Sequence, residues 1–140
     1  MTQPVSTAHL IASMQDARNR TLELVGDLDD LQIMGPKIRT VNPLKWEIGH
    51  TAYFYEFFIL RQLYGYDSVI GERADRLYDS ITVHHDVRWD LPLPNRADTL
   101  AYMQTVFDRL VERLDGEMAS EQDSFIYQFG IFHEDMHTEA

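Results

Sequence analysis

The chain has 140 residues, with Lys+Arg 12 against Asp+Glu 23, a net charge of −11 and no cysteine. The length is that of one domain. Its 44% of hydrophobic residues can build a core without cross-links. The acid excess excludes a sequence-independent grip on nucleic acid and a polybasic membrane patch. The absence of cysteine excludes disulfides, thiol nucleophiles and Cys-ligated metal centres within the chain.

The first six residues carry no basic or apolar run of the secretory type. The longest apolar stretch, residues 51–63, contains Glu56 and Arg61 and is too short to span a bilayer. A cytoplasmic location without membrane partners is therefore expected. The first helix begins near Ser6 or Thr7, both good N-caps. Leu10, Met14, Ala17, Thr21, Leu24, Val25 and Leu28 follow at helical spacing on one stripe. Gly35-Pro36 breaks any continuation. Asn42-Pro43 opens a second helix, Asn as N-cap and Pro at the first helical position, running to about Tyr64 before Gly65. This helix is apolar nearly all round and should be buried on most sides.

Residues 66–94 read as a long connection with room for short helical turns, of the kind that is a crossover or functional. Asn95, with Asp98 three residues on, caps a third helix. Its stripe is Leu100, Met103, Phe107, Leu110, Val111 and Leu114, and Gly116 sits near its end. Ser120 caps a fourth helix carrying Phe125, Ile126, Phe129 and Phe132. No breaker ends that helix, so the sequence reads as the N-terminal part of a longer protein. No segment alternates with period two. The expectation is an all-α four-helix bundle with a long connection between helices 2 and 3.

The sharpest local feature is His133-Glu134-Asp135-Met136-His137. Histidines at i and i+4 lie about 40° apart on one helix face and can converge on one metal. On a helical wheel Ile126 and Phe129 share that face, so the pair is expected to point into the core while Glu134 and Asp135 turn away. The alternative is two core histidines bonded to backbone or side chains. His50, mid-helix between Trp46 and Phe54, is the best third ligand, and Gly49 beside it permits a close neighbour. His9, His84 and His85 are weaker candidates.

Three site chemistries compete. His133-Glu134-x-x-His137 fits the H-E-x-x-H of zinc peptidases, which requires Glu134 beside a metal-bound water. Glu47-x-x-His50 and Glu134-x-x-His137 fit a di-iron carboxylate bundle, but Glu23 and Glu112 fall away from the apolar stripes where bridging carboxylates would be needed. A mononuclear site of His50, His133 and His137 needs no absent residue and suits iron, zinc or nickel.

The segment Asn42-Pro43-Leu44-Lys45-Trp46-Glu47-Ile48-Gly49-His50-Thr51 resembles the S-P-x-K-W-x-x-G-H-T segment of ergothioneine-pathway sulfoxide synthases. Leu77-Tyr78-Asp79-Ser80 is similar to their L-F-N-S, and His133-Glu134-x-x-His137 to their H-E-x-x-H helix. The resemblance implies a DinB-like four-helix bundle over residues 1–140, followed by a formylglycine-generating-enzyme-like C-terminal domain that this sequence lacks. It implies Fe(II) held by His50, His133 and His137. It also implies oxygen-dependent C–S or C–Se bond formation, with O2, trimethylhistidine and a thiol or selenol donor as small-molecule partners. Much of the substrate pocket and the catalytic acid would belong to the second domain, so residues 1–140 alone are expected to bind metal without turnover. Family members commonly carry Gln where this chain has Met136, which makes Met136 a substrate-binding candidate and points to a divergent branch such as selenoneine synthesis. Arg88 and Trp89, with His84 and His85, are candidates for lining the entrance. A stand-alone DinB-like thiol transferase and a non-catalytic helical interaction module are the alternatives.

Overall fold

The computed structural model describes residues 4–139. Its helices are α1 (Thr7–Val25), α2 (Leu44–Tyr55), α3 (Arg73–Tyr78), α4 (Arg96–Arg113) and α5 (Glu121–Glu139). Four long helices form the expected bundle, and the short α3 lies in the connection. No strand occurs among the described residues beyond one isolated antiparallel bridge between Ser6 and Met118.

The caps largely follow from local chemistry. Ser6 accepts the His9 amide at 3.0 Å, Asn95 the Asp98 amide at 2.8 Å and Ser120 the Asp123 amide at 3.0 Å. Each satisfies a donor that the first helical turn leaves free. The second helix departs from expectation. Pro43, not Asn42, precedes its first residue, and no side chain caps it. The Asn42 side chain is engaged elsewhere: its oxygen accepts from Arg88 at 2.8 Å and its amide nitrogen donates to Glu47 at 2.7 Å. Past Tyr55 the helix widens into a π-helical turn, Glu56–Arg61. The wider turn brings Glu56 to full burial, where its carboxylate accepts from the Tyr102 hydroxyl (2.7 Å), Ser68 Oγ (2.9 Å) and the Val69 amide (2.8 Å).

α2 is the central element. It packs against α4, α5 and α3, and nine of its twelve residues are buried, as its all-round apolar sequence requires. The long connection is half-structured: besides α3 it contains a 3₁₀ turn, His85–Val87, and Leu91 and Leu93 pack on the core.

α5 corrects the sequence reading. The face it buries runs through Asp123, Ser124, Tyr127, Gly130 and Glu134. Phe125, Phe129 and Phe132 are exposed, at 53%, 47% and 62%. Gly130 is one reason: a Cβ there would lie 2.6 Å from the Tyr55 ring, so α5 meets α2 along its glycine edge. A periodicity count scores phenylalanines as inward and glutamate as outward. Here a paired glutamate goes in and the phenylalanines form an exposed strip. Leu24 is also exposed despite its place on the α1 stripe.

Candidate metal centre

His50, His133 and His137 meet where α2 crosses the end of α5. One ring nitrogen from each lies within 4.8 Å of those of the other two. Ring centroids are 5.1 Å apart for His50–His133, 4.9 Å for His50–His137 and 4.5 Å for His133–His137.

Each ring is fixed from behind. The His50 Nδ1–H donates to the Tyr78 carbonyl at 2.8 Å, and its ring stacks on Trp46 at 4.6 Å. The Trp46 indole N–H donates to the neighbouring Leu77 carbonyl at 2.6 Å. Both acceptors sit at the C-terminal end of α3, where a helix leaves carbonyls unpaired. The one helix of the connection thus turns its free carbonyls into a mount for His50. Gly49 makes room, since a Cβ there would lie 2.3 Å from the Tyr78 ring. The His137 Nδ1–H donates to the Glu47 carboxylate. The His133 ring lies flat on Phe54 at 3.8 Å.

These bonds assign the tautomers. With Nδ1 donating, His50 and His137 each keep a lone pair on Nε2, the form a metal ligand needs. The Nε2 atoms of His133 and His137 face each other at 3.2 Å. At a metal–nitrogen bond of about 2.0–2.1 Å, two ligands of one ion stand about 3.0–3.4 Å apart. Two facing Nε2 atoms cannot both carry a proton; one proton or one cation must lie between them. His133 Nδ1 is buried without a partner, so its Nε2 is the nitrogen with a use. The donor set is three neutral imidazoles, which suits iron, zinc or nickel.

Burial is the main influence on two of the rings. It lowers His50 to about 4 against the raising effect of the Tyr78 carbonyl. It lowers His133 to about 3, helped by the nearby His137 and His50. Burial works against ionisation of Glu47, but the hydrogen bonds from His137 and Asn42 outweigh it and hold the carboxyl below its ordinary value. All three shifts act on stability with one sign. Below about pH 6.5 an unfolded chain protonates histidines that the folded chain keeps neutral. The contribution of His50 and His133 is therefore present above that pH and falls as the pH drops toward 4 and 3. The contribution of Glu47 is lost as its carboxyl protonates. In chelator, the urea midpoint should fall steadily from pH 7.5 to pH 4.5; a constant or rising midpoint would contradict these assignments.

The remaining residues of the H-E-D-M-H segment have other partners. Glu134, 1% exposed, accepts from Arg18 Nε (3.1 Å), Thr21 Oγ1 (2.7 Å) and the Tyr55 hydroxyl (2.9 Å). Asp135 takes a bidentate contact from Arg20, with its closest bond at 2.8 Å. Two arginines of α1 thus grip α5 just where its histidines begin. Glu134 is committed to the core, which overturns the zinc-peptidase reading. Glu23 and Glu112 are exposed, as the argument against a di-iron centre requires. Sequence reasoning missed Arg18 and Arg20, although their i, i+2 spacing matches the adjacent Glu134-Asp135 pair in charge.

Met136 is half-exposed and, with His137, Glu47, Leu44, Val41 and Asn42, lines a cleft of about 400 Å³. Arg88 and Trp89 are not among its lining residues. Arg88 is 8% exposed and bonded to the carbonyls of Val83 and Ser80. Trp89 is half-buried, with His85 edge-on at 5.0 Å. His9 and His84 are exposed and apart from the cluster; His85 faces Asn42 Oδ1 and the Ile38 carbonyl.

The sequence profile of the DinB superfamily matches residues 13–140. The chain belongs to the DinB superfamily. In this DinB bundle the three histidines come from α2 and α5, and α1 and α3 hold those helices in register. Two relatives carry the name hercynine oxygenase. The protein from Mycolicibacterium thermoresistibile is 30% identical over 137 residues, which are 95% of this chain and 30% of that protein. The one from Mycobacterium tuberculosis is 31% identical over 136 residues, 96% of this chain and 32% of that protein. The chain thus spans about a third of the length of these curated relatives. No helix among the described residues is long and apolar enough to cross a membrane.

Proposed function

We propose that this chain is the metal-binding bundle of a non-haem Fe(II), oxygen-dependent synthase of the ergothioneine type. The reaction joins a thiol or selenol donor to an imidazole carbon of trimethylhistidine, which is hercynine. The observation that carries this reading is the convergence of His50, His133 and His137, two of them with Nε2 left free by anchored Nδ1 atoms. Relatives named for hercynine support the substrate. Fe(II) held by these residues would supply redox chemistry and open positions for O2 and a soft sulfur or selenium donor.

The chain's own part is placement. Tyr78 and Glu47 hold two imidazoles in the ligating tautomer, and Trp46 and Phe54 wall off water with flat aromatic faces. The cleft beside His137 admits substrate past Met136, whose flexible thioether can contact a small ligand. The general acid and most contacts to the imidazole substrate belong, in this reading, to a formylglycine-generating-enzyme-like C-terminal domain. A cytoplasmic location is part of the same reading.

Oxygen uptake and product mass test it, using Fe(II), trimethylhistidine and a panel of thiol and selenol donors. Residues 1–140 should bind iron without turnover, and the longer protein should form a C–S or C–Se product. Turnover by residues 1–140 alone, or thiol transfer without O2, would overturn the proposal and favour a self-contained thiol transferase.

A further inference from the structure

Arg88 comes from the long connection, yet its guanidinium reaches behind two of the three histidines. On one side Nη1 donates to Asn42 Oδ1 at 2.8 Å, and the Asn42 amide donates to Glu47 Oε1 at 2.7 Å. The other Glu47 oxygen takes the His137 Nδ1–H. On the other side the guanidinium lies 3.9 Å above the Trp46 ring, which stacks on His50 at an interplanar angle of 8°. Nε and Nη2 are bonded to the Val83 carbonyl at 3.2 and 2.7 Å, so the group is held on every edge.

We propose that Arg88 is a positioning residue for the metal centre, acting on His137 through Asn42 and Glu47 and on His50 through Trp46. The inference rests on the metal-binding reading above. Its physical core is the orientation of one amide. The two ends of an asparagine side chain have nearly the same shape but opposite polarity. By donating to Oδ1 at 2.8 Å, with the His85 Nδ1 facing the same oxygen at 3.0 Å, Arg88 holds the NH2 end toward Glu47. Reversed, the amide would set its oxygen against a carboxylate oxygen and push Glu47 off His137. Glu47 in place makes Nδ1 the protonated nitrogen of His137 and leaves the Nε2 lone pair facing His133. Such outer partners of a ligating histidine are worth about 10–100-fold in metal affinity. Lysine cannot substitute, because an ammonium cannot lie flat on Trp46 while bonding in the plane to both Asn42 and Val83.

The test compares Arg88→Lys, Asn42→Ala and Glu47→Ala with the unmodified chain. Two quantities are read: the Zn(II) dissociation constant by competition with a chromophoric chelator, and the His137 tautomer by ¹⁵N NMR in chelator. Each variant should weaken Zn(II) about 10–100-fold and shift His137 from the pure Nδ1–H form to a mixture. In the His137 tautomer, Arg88→Lys combined with Glu47→Ala should be no worse than Glu47→Ala alone, because both changes reach that ring along one path. Asp123→Asn, which weakens the Arg113–Asp123 pair at the opposite end of α5 from the histidines, should lower the urea midpoint and leave both readouts unchanged. Should Arg88→Lys fail to fold, the half-buried Asn42→Ala decides the matter. An unchanged tautomer and dissociation constant in the folded variants would reduce Arg88 to a packing role and sink the proposal. Failure of the unmodified chain to bind any metal would instead defeat the metal-binding reading, while the tautomer measurement still decides whether the relay exists.

Discussion

Iron content is expected to fall from about one ion per chain to none when His133 is replaced by alanine, because two imidazoles alone leave too few donors to hold a divalent ion against water. The measurement is element analysis of anaerobically loaded, desalted protein. His133 is the informative ligand because its ring makes no polar contact that alanine would break except the one to His137. The variant should therefore fold, with a small cavity beside Phe54. His50→Ala and His137→Ala should lose iron as well, and His84→Ala, in an exposed position, should keep it. Two ions per chain would require bridging carboxylates near the histidines, and Glu23 and Glu112 point to solvent. A content near two would therefore contradict the three-histidine centre, as would full retention of iron by the His133 variant.

Glu134→Ala is expected to cost about 3–5 kcal/mol of stability, the range for breaking a buried ion pair from one side. The carboxylate and the Arg18 guanidinium are 1% and 3% exposed, so the charge left on Arg18 has no water to replace its partner. Thr21 and the Tyr55 hydroxyl lose their acceptor in the same step. Urea unfolding would show a lower midpoint at unchanged slope. Replacing both partners, Glu134→Leu with Arg18→Met, should recover the part of the loss that comes from the unpaired charge, while the Tyr55 hydroxyl and the Met103 carbonyl stay without their partners. A Glu134→Ala protein of undiminished stability would mean that the carboxylate is not spent on the core. It would reopen the possibility that Glu134 serves the metal as the general base of an H-E-x-x-H enzyme.

Much of the architecture was legible in the residues. Ser6, Asn95 and Ser120 cap helices as their chemistry dictates, and α2 is buried on most sides because it is apolar on most sides. The candidate ligands were legible too: His133 and His137 by spacing, and His50 by its apolar neighbours. The convergence of the three is consistent with that reading. Resemblance to the sulfoxide synthases covered the same segments, and the DinB superfamily match agrees with the fold it implied.

Other features escaped because they depend on pairs far apart in the chain. Which face of α5 goes inward was read from phenylalanines, yet it is decided by Arg18 of α1 meeting Glu134 and by Tyr55 of α2 needing a glycine at 130. Arg88 and Asn42 looked like an entrance residue and a helix cap; each is a link to the histidines from another element. By itself the sequence determined the helices, most of their caps and which side chains can ligate, because these follow from chemistry within a few residues of one another. Only the tertiary structure decided which nitrogen of His50 and His137 is free, which acid is neutralised and where Arg88 points. Those outcomes are set by partners between 28 and 116 residues away, whose charge and hydrogen bonds outweigh what local hydrophobicity would choose.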